Sequence, residues 1–323
     1  MKYGYISRFL MSNTVIMLST YSIAHANTIN NQVVNTKTYT NADIQYDTSI
    51  SLGYLSGEAN EYLYFPAKNH TASKLIWDID SLYMVGIGAS IHYKERVTLN
   101  THVWFSLNDG DGKLVDYDWV KEGYNWTHQS IHDNTNVTDG LMFDINLEHK
   151  TSISETTDLF AILGYRQDSF SWESYGGSYI YSVKNFRDTS GNFPDNELGI
   201  RYKQTWKVPY IGMKIDSNFS GFDLSAKLLY SPFVNAEATD KHYMRDIKST
   251  DSFRKDSMYA VDIALSYPLS DKLTLKVNYA YEKYDTVTGD MLWEDSGKQY
   301  QLDDYAGADL QTSMIGFSLH YTY

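Results

Sequence analysis

Two stretches carry residue types that could do chemistry: Asp116-Tyr117-Asp118-Trp119 and Asp240-Lys241-His242-Tyr243. In an extended chain, residues two apart point the same way, so Asp116 shares a side with Asp118 and Asp240 with His242. Two neighbouring carboxylates do not both ionise easily, and such a pair keeps a proton towards neutral pH. A histidine beside a carboxylate is a positioned base. Facing each other across a groove, the couples could hold a water that His242 deprotonates for attack on a peptide carbonyl. Asp116 and Asp118 would then anchor that water or protonate the tetrahedral species. Spacing alone fits a solvated or divalent-cation-binding role at least as well, because Asp-x-Asp is common in polar loops. His128 and His132 lie four apart, but nothing makes their stretch a helix, so no metal site is expected there. A nucleophilic serine lacks a Gly-x-Ser-x-Gly setting, and the chain has no cysteine, which excludes a thiol nucleophile and a disulfide framework.

The elements that must position these residues show period-two alternation. Leu273, Leu275, Val277, Tyr279 and Tyr281 share one face against Thr274, Lys276, Asn278 and Ala280. Ile315, Phe317, Leu319, Tyr321 and Tyr323 do the same at the C-terminal end. The pattern predicts ten strands, near 48–65, 74–93, 96–107, 138–151, 156–173, 198–215, 219–236, 255–269, 272–286 and 307–323. Short links at 94–96 and near Ser154, Ser217 and Ser270 alternate with longer polar links at 66–73, 108–137, 174–197, 237–254 and 287–306. This rhythm predicts an all-β, ten-stranded antiparallel transmembrane β-barrel with short periplasmic turns and long extracellular loops. Both candidate couples then fall in exterior loops. Lys276, Asp262, Asp144 and Glu148 would pair inside the barrel, with His92 and His102 as interior or rim groups.

Composition agrees with that class. Tyr, Phe and Trp make up 15% of 323 residues, 29 of them tyrosines, suited to interfacial girdles. Residues 1–26 read as a signal peptide, with Lys2 and Arg8, an apolar stretch from Phe9 to Ile23, and a small-x-small end at Ala24-His25-Ala26. Residues 27–323 are expected to form a single outer-membrane domain. The net charge of −13 argues against nucleic-acid partners and favours cationic ones. A ten-stranded lumen is too narrow for a general porin.

At these residues the sequence resembles the omptin family of Gram-negative outer-membrane endopeptidases. Ile50-Ser51-Leu52-Gly53 with Leu55-Ser56-Gly57 looks like the first-strand signature, and Val115-Asp116-Tyr117-Asp118-Trp119 like the family's Val-Asp-x-Asp-Trp. Gly176 to Ser182, Tyr202-Lys203-Gln204 and Pro209-Tyr210-Ile211-Gly212 are similar to further family blocks, and Asp240-Lys241-His242-Tyr243 matches Asp-x-His-Tyr. The resemblance implies an aspartic-type endopeptidase with Asp116, Asp118, Asp240 and His242 catalytic around a shared water. It implies no cofactor or metal, and lipopolysaccharide as an activating lipid. Its substrates would be extracellular proteins and cationic peptides cut near basic residues.

The departures are specific. A groove glutamate is kept as Glu61, but the acid two residues before Asp240 is Ala238, with Glu237 one position earlier as the substitute expected to bind substrate. An aspartate after Trp126-Thr127 is replaced by His128. A relaxed or shifted preference for basic residues follows. Of the lipid-binding cluster Tyr165 is kept and Lys255 roughly matches, whereas Gln167, Ser169 and Thr205 stand where the family has charged residues. Weaker or rearranged lipopolysaccharide binding follows. The competing expectation is an adhesin or structural barrel whose loops bind host surfaces without catalysis.

Overall fold

A computed structural model describes residues 43–66, 70–121, 123–254 and 256–323. The leader expected at 1–26 and the lipid-binding lysine expected at 255 lie outside the described residues. The strands are β1 (Ile44–Phe65), β2 (His70–Tyr93), β3 (Val97–Ser106), β4 (Gly110–Asp118), β5 (His128–Ser152), β6 (Thr157–Tyr175), β7 (Ser178–Tyr181) and β8 (Thr189–Asn192). They continue as β9 (Leu198–Phe219), β10 (Phe222–Ser231), β11 (Asn235–His242), β12 (Ile247–Arg254), β13 (Met258–Pro268), β14 (Leu273–Asp295) and β15 (Lys298–Thr322). Every pairing is antiparallel, and β15 pairs with β1, closing the sheet so that no edge is left along the barrel wall. β3 with β4, β10 with β11, and β12 with β13 are each one staggered wall strand broken near the rim. The barrel therefore has the ten strands expected.

The difference lies in their length. The long links at 108–137, 237–254 and 287–306 are not loops but paired continuations of the wall: β4 joins β2 and β5, β11 joins β9 and β12, and the ends of β14 and β15 pair with each other. These continuations are polar and carry Gly and Asp, which mask strand propensity. At the opposite end the turns are tight. Lys94 and Glu95 both adopt positive φ (50° and 54°), the geometry of a two-residue hairpin turn that matches strand twist.

Alternation sorts the side chains. Ile50, Leu52, Ile87, Leu163, Ile211, Leu228, Ile263 and Phe317 stand exposed on the outer face, a composition suited to lipid and to no soluble surface. Tyr46, Tyr93, Tyr267 and Tyr321 mark one border of this band, and the cross-strand pairs Tyr54–Tyr83 and Tyr230–Tyr259 the other. Inside, a cavity of about 590 Å³ is bridged by charges. Arg166 meets Glu282 at 2.5 Å and Asp144 at 3.5 Å, Lys214 meets Glu148 at 2.6 Å, and Asn278 donates to Asp262 at 2.7 Å. Arg166 thus faces the lumen, as alternation from Tyr165 requires. His102 packs on Trp104 inside, and His92 meets Asp47 at 2.6 Å near the turn end.

Above the polar lumen an aromatic layer closes the barrel. Trp77 stacks on Tyr202 with centroids 5.2 Å apart, and Trp206 lies 4.8 Å from Tyr284, all fully buried. Gln204 ties the layer together: it donates to Tyr202 Oη (2.8 Å) and to Asn60 O (3.1 Å), and accepts from Trp206 Nε1 (3.0 Å). This layer is the floor on which the candidate site stands.

Candidate active site

Asp116 and Asp118 sit on β4 between β2 and β5. Asp116 is in register with Leu75 and Ser130, and Asp118 with Ser73 and His128. The pleat turns both carboxylates to the inner face. Ser73 Oγ donates to Asp116 Oδ1 at 3.4 Å. Asp240 and His242 sit on β11, in register with Tyr202 and Ile200 of β9. Asp240 Oδ2 lies 2.6 Å from His242 Nε2, with both side chains largely buried. The other ring nitrogen, Nδ1, accepts from Arg245 Nη2 at 2.6 Å, so the ring proton belongs to Nε2 and points at Asp240.

The two couples act on each other. Burial and then the Asp118 charge hold Asp116 well above the usual carboxylate range, and Asp240 adds to the effect. Burial also raises Asp118, against the pull of the Ser73 hydroxyl and of His128, Arg245 and His242. The sequence-derived quartet therefore forms one electrostatic cluster, with both carboxylates of the pair shifted towards the protonated form.

Glu61 lies beside it, 7% exposed, with Oε2 unpartnered. Burial raises its pKa well above normal, and Asp240, Asp251 and Asp116 raise it further. Asp251, 2% exposed on β12, was missed by sequence reasoning. It accepts from Ser249 Oγ at 3.2 Å through Oδ2 and leaves Oδ1 without a partner. Burial, then Asp240, pushes it up to about 8. The alternation Ser249, Asp251, Phe253, all buried, would have exposed it had 247–254 been read as a strand.

Glu237 requires a correction. Its neighbours Ala236 and Ala238 face inward, so the pleat turns Glu237 to the outer wall, where it pairs with Lys207 at 2.9 Å. It does not face the groove. Tyr165 lies on the same outer wall and lines a shallow crevice with Lys207, Pro209 and Arg254. His128 and His132 make no shared site. His132 is buried, donating from Nδ1 to Gly176 O (2.5 Å) and accepting from Ser130 at Nε2 (2.9 Å), while His128 packs on Tyr181. A hairpin of β7 and β8 walls the groove, held down where Arg187 stacks 3.3 Å over the Trp126 ring and donates to Trp126 O.

The omptin family model matches residues 42–323. The chain belongs to the omptin family. Among its omptin relatives are the plasminogen activator of Yersinia pestis, 31% identical over 76% of this chain and 78% of the relative, and the outer membrane protease IcsP of Shigella flexneri, 33% identical over 68% and 71%. The crystal structure of outer membrane protease OmpT from Escherichia coli superposes with a TM-score of 0.83 at 26% identity, covering 86% of this chain and 97% of that one. This omptin is thus an outer-membrane β-barrel protease, a peptide-bond hydrolase of extracellular proteins.

Proposed function

We propose that this omptin cleaves peptide bonds by an aspartic-type mechanism without a metal, through water held between His242 and the Asp116–Asp118 pair. The observation that supports it best is the Asp240–His242 contact of 2.6 Å facing two carboxylates held above their usual range. Nδ1 of His242 takes a proton from the water as its oxygen attacks the scissile carbonyl carbon. Asp240 accepts the Nε2 hydrogen bond and stabilises the imidazolium that forms. The proton retained by the Asp116–Asp118 pair meets the developing oxyanion, and the imidazolium returns its proton to the leaving amine.

The same geometry supports a preference for basic residues. Glu61 and Asp251 each direct an unpartnered, buried carboxylate oxygen into the space beside Asp240. A substrate lysine or arginine would supply the missing cation and relieve their mutual repulsion. Asp251, the cross-strand partner of Ala238, offers the acid that position lacks and so supports a basic preference on that side of the cut, with the relaxed preference expected from Ala238 as the competing outcome. A peptide-library cleavage profile tests both parts. Cuts beside Arg or Lys by the native chain, and none by Asp240→Asn or His242→Ala, are expected; cuts without basic preference would remove the specificity reading alone.

Residues 1–26 fit a cleaved leader and residues 27–323 the mature barrel domain. Lipopolysaccharide fits the outer wall at Tyr165, where Lys207 and Arg254 offer the phosphate-binding charge. Activity of refolded protein with and without lipopolysaccharide tests this, and loss of the stimulation in Lys207→Ala with Arg254→Ala would support it.

A further inference from the structure

The turn joining β11 to β12 runs from Tyr243 to Asp246, with the Tyr243 amide donating to Gly199 O at 2.8 Å and Asp246 at φ 51°. This anchored turn folds Arg245 back over His242, three residues earlier. Its guanidinium caps Nδ1 at 2.6 Å and is close enough to lower both Asp116 and Asp118. Among the described residues Arg245 makes no ion pair, although these two carboxylates lie near it.

A guanidinium only donates, so the contact consumes the single lone pair of Nδ1. That lone pair is the one a base must use. Capping by Arg245 and proton abstraction by His242 therefore exclude each other. Among the described residues the one hydrogen bond of Arg245 is to the ring, made from an exposed position on a turn, with only longer-range attraction from Asp116 and Asp118 to support it.

We propose that Arg245 is a selectivity residue, an internal cation that keeps the groove at rest until a cationic substrate side chain replaces it. This rests on the peptidase reading above. A substrate arginine or lysine entering beside Glu61 and Asp251 supplies positive charge to the same cluster of carboxylates. It repels the Arg245 guanidinium, which swings to solvent and bares Nδ1. A neutral side chain brings no such repulsion and leaves the cap in place. Discrimination then arises twice, once by pairing with Glu61 and Asp251 and once by release of the base.

The test compares an internally quenched peptide bearing one arginine at the cut bond with its citrulline counterpart, which keeps the shape without the charge. A cap closed about nine-tenths of the time lowers the competent fraction about tenfold. Arg245→Gln is expected to raise kcat/KM for the citrulline peptide by about tenfold and for the arginine peptide by less than about threefold, the arginine already displacing the cap. Equal loss on both peptides would make Arg245 a transition-state group and overturn the proposal, as would unchanged selectivity. A second readout does not depend on turnover: the rate of His242 carbethoxylation by diethyl pyrocarbonate, followed by mass spectrometry on the folded barrel. Faster modification in Arg245→Gln supports the cap, and an unchanged rate overturns it. Should the native chain cleave neither peptide, the peptidase reading fails while the modification rate still decides whether Arg245 covers the base.

Discussion

Ala238 and Asp251 are cross-strand partners in the β11–β12 hairpin, both facing the groove. The pair explains how a position without an acid still presents one: the carboxylate comes from the opposite strand. Asp251→Asn is expected to lower kcat/KM for substrates with Arg or Lys at the cut bond by about ten- to a hundredfold, the range of a charge-assisted contact, with less effect on neutral peptides. A peptide series compared between the two proteins checks this.

The same carboxylate carries a pH signature. Its ordinary value of 3.8 is pushed up to about 8 by burial and by Asp240. The folded state therefore binds this proton more tightly than the unfolded chain. The resulting stability is fully present below about pH 4 and is lost as pH rises through about 8. Asp251→Asn, which stays neutral, should lack that decline. Melting temperatures in detergent between pH 4 and pH 9 should diverge in favour of the variant as pH rises.

Removing the base or its orienting partner isolates the catalytic couple. His242→Ala and Asp240→Asn are each expected to lower kcat by about 10³- to 10⁴-fold while the barrel stays folded, because base catalysis and control of the tautomer are lost. Cleavage of a fluorogenic basic peptide by cells displaying each variant measures it, with heat-modifiable gel mobility as the control for folding.

Asp118 contributes the second-largest upward push on Asp116, after burial. In the proposed mechanism the proton of the pair serves the oxyanion, so activity should fall as alkaline pH removes it. Asp118→Asn eliminates that repulsion and moves the alkaline limb to lower pH, along with a reduced maximum. The pH profile of kcat/KM on one peptide decides it; an unmoved limb would detach Asp118 from the proton.

Inside the wall, Arg166 answers both Glu282 and Asp144. Arg166→Met leaves two carboxylates facing each other without a cation. A loss of about 3–5 kcal/mol is expected from breaking a buried ion pair at one partner, read as a lower melting temperature in detergent.

The barrel was legible in the sequence because period two survives wherever one face meets lipid: Leu273 to Tyr281 and Ile315 to Tyr323 show it plainly. Above the lipid both faces of the wall meet water or protein, and the outward positions become polar. The strand register of β4, β11 and β12 was lost for that reason, and with it the side on which each residue faces. Asp116, Asp118, Asp240 and His242 were still found, since their spacing of two holds in any extended segment. Glu237 was placed in the groove and Asp251 overlooked by the same missing register. Arg245 carried no signal at all, because its contact depends on a turn conformation and not on periodicity.

The paired continuations of the wall also set how far the chemistry stands from the bilayer. From Tyr54 at the upper girdle to Glu61 beside the groove, a strand rising about 3.3 Å per residue at about 40° tilt climbs about 18 Å. That is more than two screening lengths at physiological ionic strength, about 8 Å each. The hydrocarbon border therefore lies well below the groove, and an approaching polypeptide responds first to the charges of the collar itself. A polypeptide segment held above the surface can then enter the groove from above.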